Sequence, residues 1–437
     1  MDSTGAPHAR PAPVGPILIA LVAGAFVGWL VGPDWKLGSF DPVRFFEFLG
    51  TLFVNLLKML IVPLISSSII TSVAALGSGR DLGRLGAKTL GFYVLTTLIA
   101  ILIALTVINV VQPGIVGGEP ARHLLALEAN AAEVTNQVKD RASASVFDTL
   151  LNIVPANILE AAANTKLLGL VFFSVLFGYF LARIESPYRE AVENFWQGVF
   201  RIMMRMTEWV MMLAPIGVFA LTARVVAKAG ISAAGPIFIF GGCVVASLAI
   251  YVVIALPAII RLVGRVSPWP LFPAMTPALL TAFVTASSAA TLPLSMECVE
   301  KRAGVSERIA GFVMPFGTSV NHAGSALYEC AAAMFICQAY GLHLSLGTQF
   351  TVVVLALITS IGVAGIPAAS LVGIAVILAA VGLPAEAIGV LLVLDRLLDM
   401  ARTAVNVFSD AACAVIVARL EGESQVLKGE REQVVPA

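Results

Sequence analysis

Between Glu329 and Glu386 the chain runs for 56 residues without a single Asp, Glu, Lys or Arg. Five further charge-free runs cover residues 11–33, 59–79, 89–118, 229–260 and 266–296. A bilayer crossing takes about 20 apolar residues, so the longest run holds more than one. Overall only 12% of the residues are charged, half the roughly 25% of soluble domains. That is too little charge to coat a soluble particle of 437 residues. With 27 basic and 27 acidic residues the chain also lacks the basic footprint of a nucleic-acid binder. Soluble enzymes and disordered chains are excluded on the same grounds, which leaves an all-α polytopic membrane protein. The five cysteines (Cys243, Cys298, Cys330, Cys337, Cys413) are scattered and form no CxxC pair, so they read as small core residues.

Hydropathy predicts spans at roughly 14–31, 45–76, 89–111, 150–181, 199–226 and 237–263. Ala23-Gly24-Ala25 resembles a signal-peptide cleavage site, but the apolar run continues to Val31, so the segment reads as a retained first span. Residues 119–148 are polar and net acidic and read as an extramembrane loop. The linker 77–88 carries Arg80, Arg84 and Lys88 against Asp81, which places it in the cytoplasm by the positive-inside rule. Both termini then lie on the cytoplasmic side, residues 1–13 and 421–437 forming tails. Arg224 and Lys228 fall outside and run against the rule.

The C-terminal half differs in character. Thr285-Ala-Ser-Ser-Ala-Ala-Thr-Leu-Pro293 and Ser360-Ile-Gly-Val-Ala-Gly-Ile-Pro367 each interrupt a stretch that would otherwise span. Both are rich in small residues and end in Pro, which cannot continue a helix interior. Loops at membrane depth survive only when buried in protein or lining a cavity. Each interruption is followed by a polar span, one holding Asn321 and the other Asn406. Paired interruptions in the halves of a repeat point to a transporter's binding site. The alternative is two interfacial loops joining ordinary spans.

The last span carries Asp395, Asp399, Arg402, Asn406 and Asp410. At about 100° per residue these five occupy an arc of roughly 80°. A charge at the bilayer centre costs at least about 2.5–3.5 kcal/mol, so such residues face the bundle interior and mark pathways. A self-neutralising ladder that only locks helices together would explain the aspartates and the arginine, but not Asn406 and Thr403 on the same face. Arg402 offers a planar fork for a carboxylate. Asp399 can accept an ammonium, and Asn406 can donate to a second carboxylate. Freed amides at the tips, Ser287–Ala289 and Gly365–Ile366, could add donors. Aspartate or glutamate fits this set. Asp410, with carbonyls freed by a helix break near Asn321, makes an oxygen cage of the kind that holds hard cations, and no His/Cys cluster suggests a transition metal.

These motifs, with Asn321-x-x-Gly-Ser-Ala-Leu-Tyr-Glu329, Asp399-Met-Ala-Arg-Thr-x-x-Asn406-x-x-x-Asp410, Lys58-Met-Leu-Ile-Val-Pro63 and Ala214-Pro-Ile-Gly-Val-Phe-Ala220, resemble the dicarboxylate/amino acid:cation symporters, the glutamate transporter family. The resemblance runs from about residue 14 to 420. It implies eight transmembrane helices, two re-entrant hairpins and inverted repeats. It implies a homotrimer in a bacterial-type inner membrane, with no enzymatic activity and no cofactor beyond Na+ or H+ as coupling ions. Within residues 14–265, helices 1, 2, 4 and 5 would form a scaffold and helices 3 and 6 would belong to the transport domain, completed by residues 266–420, that moves like an elevator. By position, Arg402 would bind the substrate's side-chain carboxylate and Asp399 its amino group. Thr403, Asn406, Ser325, backbone at Ala286, Ser287 and Ser288, and Ile366 would complete the site. One sodium site would use Asp410 with carbonyls of Gly317, Asn321 and Asn406. A second would use Ser319 with carbonyls of Ser360, Ile361 and Val363.

Two departures from the family pattern bear on coupling. The usual Asn-Met-Asp-Gly-Thr reads Asn321-His-Ala-Gly-Ser325. Ala323 removes the carboxylate of a third sodium site, whose other ligands would be Thr96, Thr97 and Asn321. His322 stands where the family has Met. It is a candidate proton carrier, or else a neutral hydrogen-bonding core residue. Family members also place an arginine at the position of Ala286 or Met400, and both are uncharged here. Arg396, nearly one turn before Asp399, either substitutes for it or pairs with Asp395. The closest rival function is a C4-dicarboxylate symporter of the same fold, which needs no ammonium acceptor. A channel or receptor would line its pore with rings of like groups. An intramembrane hydrolase built on His322 and a nearby Ser has no nucleophile signature to support it.

Overall fold

A computed structural model of the chain describes residues 14–32, 41–75, 80–125, 127, 154–163, 167–229, 234–342, 344–362 and 369–427. Within them the protein is mostly helical. In chain order the helices are α1 (Val14–Val31), α2 (Pro42–Ala75), α3 (Arg80–Val111), α4 (Ile158–Ala163), α5 (Leu167–Leu181), α6 (Tyr188–Met212) and α7 (Ala214–Ala229). They continue with α8 (Ala234–Gly264), α9 (Leu271–Thr285), α10 (Ser288–Glu297), α11 (Glu307–Val320), α12 (Ala323–Ala339), α13 (Leu346–Gly362), α14 (Ala369–Val381) and α15 (Leu392–Leu420). Stretches 85–111, 234–264 and 392–420 are long and apolar enough to cross a membrane, and shorter apolar helices accompany them.

Several expected boundaries move. The span expected at 150–181 divides into α4 and α5. Among its described residues, 154–157 are not helical, and Asn157 caps α4 by accepting from the amides of Leu159 (2.9 Å) and Glu160 (3.3 Å). The span expected at 199–226 is two helices that meet at Leu213, because Pro215 has no amide to continue the ladder of α6. The linker expected at 77–88 is helical from Arg80 onward, as the start of α3. The acidic loop after α3 opens with a two-residue antiparallel ladder, Ile115–Val116 on Glu119–Pro120, and residues 128–148 lie outside the described residues.

Helices without a polar face need another reason to associate, and small residues supply one. Gly24 and Gly28 on α1 face the backbone of Phe219 and Ala223 on α7 so closely that any Cβ would overlap a carbonyl oxygen. Such a one-turn pair lets two membrane helices approach at backbone distance. The main core instead surrounds α12 and α15. Every residue of α12 is buried, and α3, α8, α13 and α14 pack around it. The final turn of α15 is followed by a strap rather than a free tail. Val426 (1% exposed) and Leu427 are buried, and the Leu427 amide bonds to the Ala303 carbonyl at 2.9 Å. Glu421 in the strap meets Lys88 at 2.6 Å and Arg308 at 3.6 Å. Apolar Val426 and Leu427 draw the first residues of this segment onto the bundle.

Candidate functional site

The polar residues of α15 converge on a break in the preceding pair of helices. α11 ends at Val320 and α12 begins at Ala323, leaving Asn321 and His322 in non-helical backbone. Asn406 repairs part of that break: its side-chain oxygen accepts the Gly324 amide at 2.8 Å, and its Nδ2 faces Ser325 Oγ at 3.5 Å. A side chain thus supplies a bond that helix geometry would otherwise leave open at an N-terminus. Thr403 bonds back to the Asp399 carbonyl at 2.8 Å.

Below the break, Asn321 donates to Asp410 Oδ1 at 2.8 Å and to Ser409 Oγ at 3.0 Å. Thr97 Oγ1 reaches Asn321 Oδ1 at 3.4 Å, while Thr96 bonds back to Phe92 and Tyr93 carbonyls of its own helix. Gly317 lies directly against the Asp410 carboxylate and the Tyr93 hydroxyl, where a Cβ would collide with both. The second oxygen of Asp410 is buried without a hydrogen-bond partner among the described residues. An uncompensated carboxylate oxygen in this position is expensive. The oxygens of Asn321, Ser409 and Asp410, close to Gly317, are donors of the kind that fit a hard cation.

Nearer the start of α15, Arg402 is completely buried. Its Nη1 and Nη2 reach Asp395 Oδ1 at 3.2 and 3.1 Å, and Nη2 reaches Asp399 Oδ1 at 3.0 Å. The guanidinium also lies over the Tyr328 ring, 3.9 Å from its centroid. Arg396, also buried, faces the other oxygen of Asp399 at 3.5 Å. Arg396, expected either to substitute for the family arginine or to pair with Asp395, pairs with Asp399. All five residues of the predicted arc therefore lie in one strip, buried except for the part-exposed Asp399, yet Arg402 is gripped by its own helix.

The remaining predicted residues divide. At the first interruption α9 ends on Ala286 in the left-handed region (φ 48°), and Ser287 caps α10 by accepting the Ala290 amide at 3.2 Å. Ser288 is buried at the first position of α10, and α10 packs against α15. Ser319 is exposed and bonds back to Pro315, whereas Ser360 is buried and bonds back to Leu357. Ile361 lies in the last turn of α13, and Val363 and Ile366 lie outside the described residues. His322 is buried at the helix break.

Sequence reasoning missed Glu329. It is buried (1% exposed), accepts a bond from Thr359 at 2.6 Å, lies against Gly373, and forms no ion pair among the described residues. It thereby joins α12 to α13 and α14. Its place at the edge of a 56-residue charge-free run was the available signal. Tyr251 was also missed; its hydroxyl bridges to Ser409 at 3.0 Å and ties α8 to the strip.

Comparison with known proteins gives the family of the chain. The chain is 34% identical to a proton/glutamate-aspartate symporter of Escherichia coli strain K12 over 95% of both chains. It is 34% identical to a proton/sodium-glutamate symport protein of Bacillus caldotenax, over 95% of this chain and 96% of that one. Excitatory amino acid transporter 1 of Ambystoma tigrinum is 31% identical, over 92% of this chain and 82% of its own length. The description of the sodium:dicarboxylate symporter family matches residues 14–420, and the chain belongs to that family.

Proposed function

We propose that this protein is a secondary active symporter of acidic amino acids, aspartate or glutamate, coupled to Na+, H+ or both. The observation that carries this reading is the buried strip on α15. It combines a carboxylate-binding arginine, an aspartate able to take an ammonium, an amide that reaches the α11–α12 break, and a carboxylate with one unmatched oxygen. Names of full-length relatives point the same way. Arg402 and Asp399 bind the two charged ends of the substrate, with Thr403, Asn406, Ser325 and the α9–α10 tip around it. Asp410, Asn321, Asn406 and Gly317 hold Na+, which supplies a positive charge beside the substrate site.

His322 and Glu329 are the groups available for proton coupling. Glu329 is favoured by its enclosure between α12 and the α13–α14 pair, where a change in its charge acts on both. Cation and substrate binding are coupled to the transport motion, since a ligand shifts an equilibrium only by its differential affinity for the states. The membrane frame of this proposal has eight crossings, two re-entrant hairpins, cytoplasmic termini in a cell inner membrane, and a homotrimer whose transport domains move past a scaffold.

A C4-dicarboxylate symporter is the second reading. It is favoured by one observation: Asp399 already has two arginines as partners. Uptake of labelled aspartate into proteoliposomes, competed by unlabelled aspartate or succinate, separates the two. Arg402→Ala should abolish uptake, and uptake that survives this change would remove Arg402 from the site.

A further inference from the structure

We infer that Arg396 is a specificity-determining residue: it holds the Asp399 oxygen that Arg402 does not use, and so lets the site accept dicarboxylates that carry no ammonium. The inference rests on the reading that Arg402 and Asp399 meet the substrate.

Asp399 bridges two cations, with Oδ1 at 3.0 Å from Arg402 and Oδ2 at 3.5 Å from Arg396. Arg402 is shared in turn with Asp395. Two arginines and two aspartates thus balance, with Asp395, Arg396 and Arg402 buried and Asp399 part-buried. Arginine stays charged in any protein setting, so Arg396 is a fixed positive charge, and its buried position directs that charge at Asp399 rather than at solvent.

Substrate binding breaks this balance in a defined way. When Arg402 turns its fork toward a substrate carboxylate, Asp399 loses its nearer cation. An amino acid replaces that cation with its own ammonium. A plain dicarboxylate brings two more negative charges and nothing to replace it, so Arg396 becomes the counter-charge that remains on Asp399. Without Arg396, Asp399 would be a buried anion beside a dianion, and like charges at close range in a poorly solvated site are strongly unfavourable. The loss falls on the ammonium-free substrate because discrimination is a difference between two affinities. Ala286 and Met400 offer no alternative charge at their positions.

The test is competition in proteoliposomes of the full chain, with labelled aspartate as the transported probe and unlabelled succinate or aspartate as competitor. In the wild type succinate should compete measurably. In Arg396→Gln the ratio of the succinate to the aspartate half-inhibition concentration should rise about tenfold or more, and Arg396→Lys should keep the wild-type ratio. An unchanged ratio in Arg396→Gln, or no succinate competition in the wild type, overturns the inference while leaving acidic amino acid transport standing. Absence of aspartate uptake by the wild type overturns the underlying reading and the inference with it. Should Arg396→Gln fail to yield monodisperse protein, Arg396→Met decides by the same ratio, and an unchanged ratio overturns the inference.

Discussion

Asp395→Asn would remove one of the two carboxylates that enclose Arg402 while keeping its shape and an acceptor oxygen. Both Arg402–Asp395 contacts are short, 3.2 and 3.1 Å, and the arginine has no access to water. Opposite charges about 4 Å apart interact by about 4 kcal/mol at an effective dielectric near 20. Breaking a buried pair on one side costs about 3–5 kcal/mol when the other charge is left uncompensated; because Asp399 still pairs with Arg402 at 3.0 Å, the lower end, about 3 kcal/mol, applies here. The substrate-free variant should therefore be less stable by about that amount. A bound substrate carboxylate supplies the missing charge, so the bound form should lose much less. The difference appears as tighter binding, about ten- to hundredfold after allowance for the bonds that the introduced amide would retain. The assay is thermal unfolding of the detergent-solubilised protein with and without aspartate at saturating Na+. A lower unfolding temperature without substrate and a larger aspartate-induced rise are expected. An unchanged substrate-free temperature, or an unchanged rise, would refute the account of Arg402 as an arginine held by its own helix until substrate displaces the hold.

Gly317→Ala places a methyl against Asp410 and Tyr93; overpacking of this kind costs about 1–3 kcal/mol. Apparent Na+ affinity in uptake assays should fall about five- to hundredfold, and wild-type Na+ dependence would remove Gly317 and Asp410 from the cation site. Ending the chain after Gly422 removes Val426 and Leu427, whose burial is worth about 3–6 kcal/mol together as an upper estimate. Unfolding should then shift to lower temperature with little change in aspartate KM, and unaltered unfolding would mean that the strap contributes nothing. Glu329→Gln should abolish uptake driven by a proton gradient while sparing uptake driven by Na+; proton-driven uptake at the wild-type rate would exclude Glu329 as a carrier.

Much of the site was legible because α15 is regular. Spacings of three and four residues place Asp395, Asp399, Arg402, Asn406 and Asp410 on one strip, and the low charge elsewhere makes that strip conspicuous. The break at Asn321–His322 was legible for a similar reason, since polar residues interrupt an apolar run beside small ones. What sequence spacing could not supply was pairing. Whether Arg402 waits open or is closed by Asp395 depends on rotamers and on the Tyr328 ring above it. The contact of Arg396 was likewise undecided by angle alone: it projects about 60° from Asp399 on the helix, and only the side-chain geometry brings it to that carboxylate. Glu329 escaped because its partners, Thr359 and Gly373, lie far along the chain. The divided spans at α4–α5 and α6–α7 were hidden because hydropathy averages over a window, and a short non-helical stretch or one proline inside it leaves the average high. The strap was read as a tail for the opposite reason. Two apolar residues in a charged segment are too few to register, yet they are buried.

The central claim is that the α15 strip binds an acidic amino acid and that cation binding beside it drives transport. The most direct measurement is uptake of labelled aspartate into proteoliposomes with Na+ and pH gradients imposed separately, comparing wild type with Arg402→Ala. The account predicts concentrative uptake by the wild type when at least one of the two gradients is directed inward, and none by the variant under either. Uptake that needs neither gradient, or that Arg402→Ala leaves intact, would contradict it.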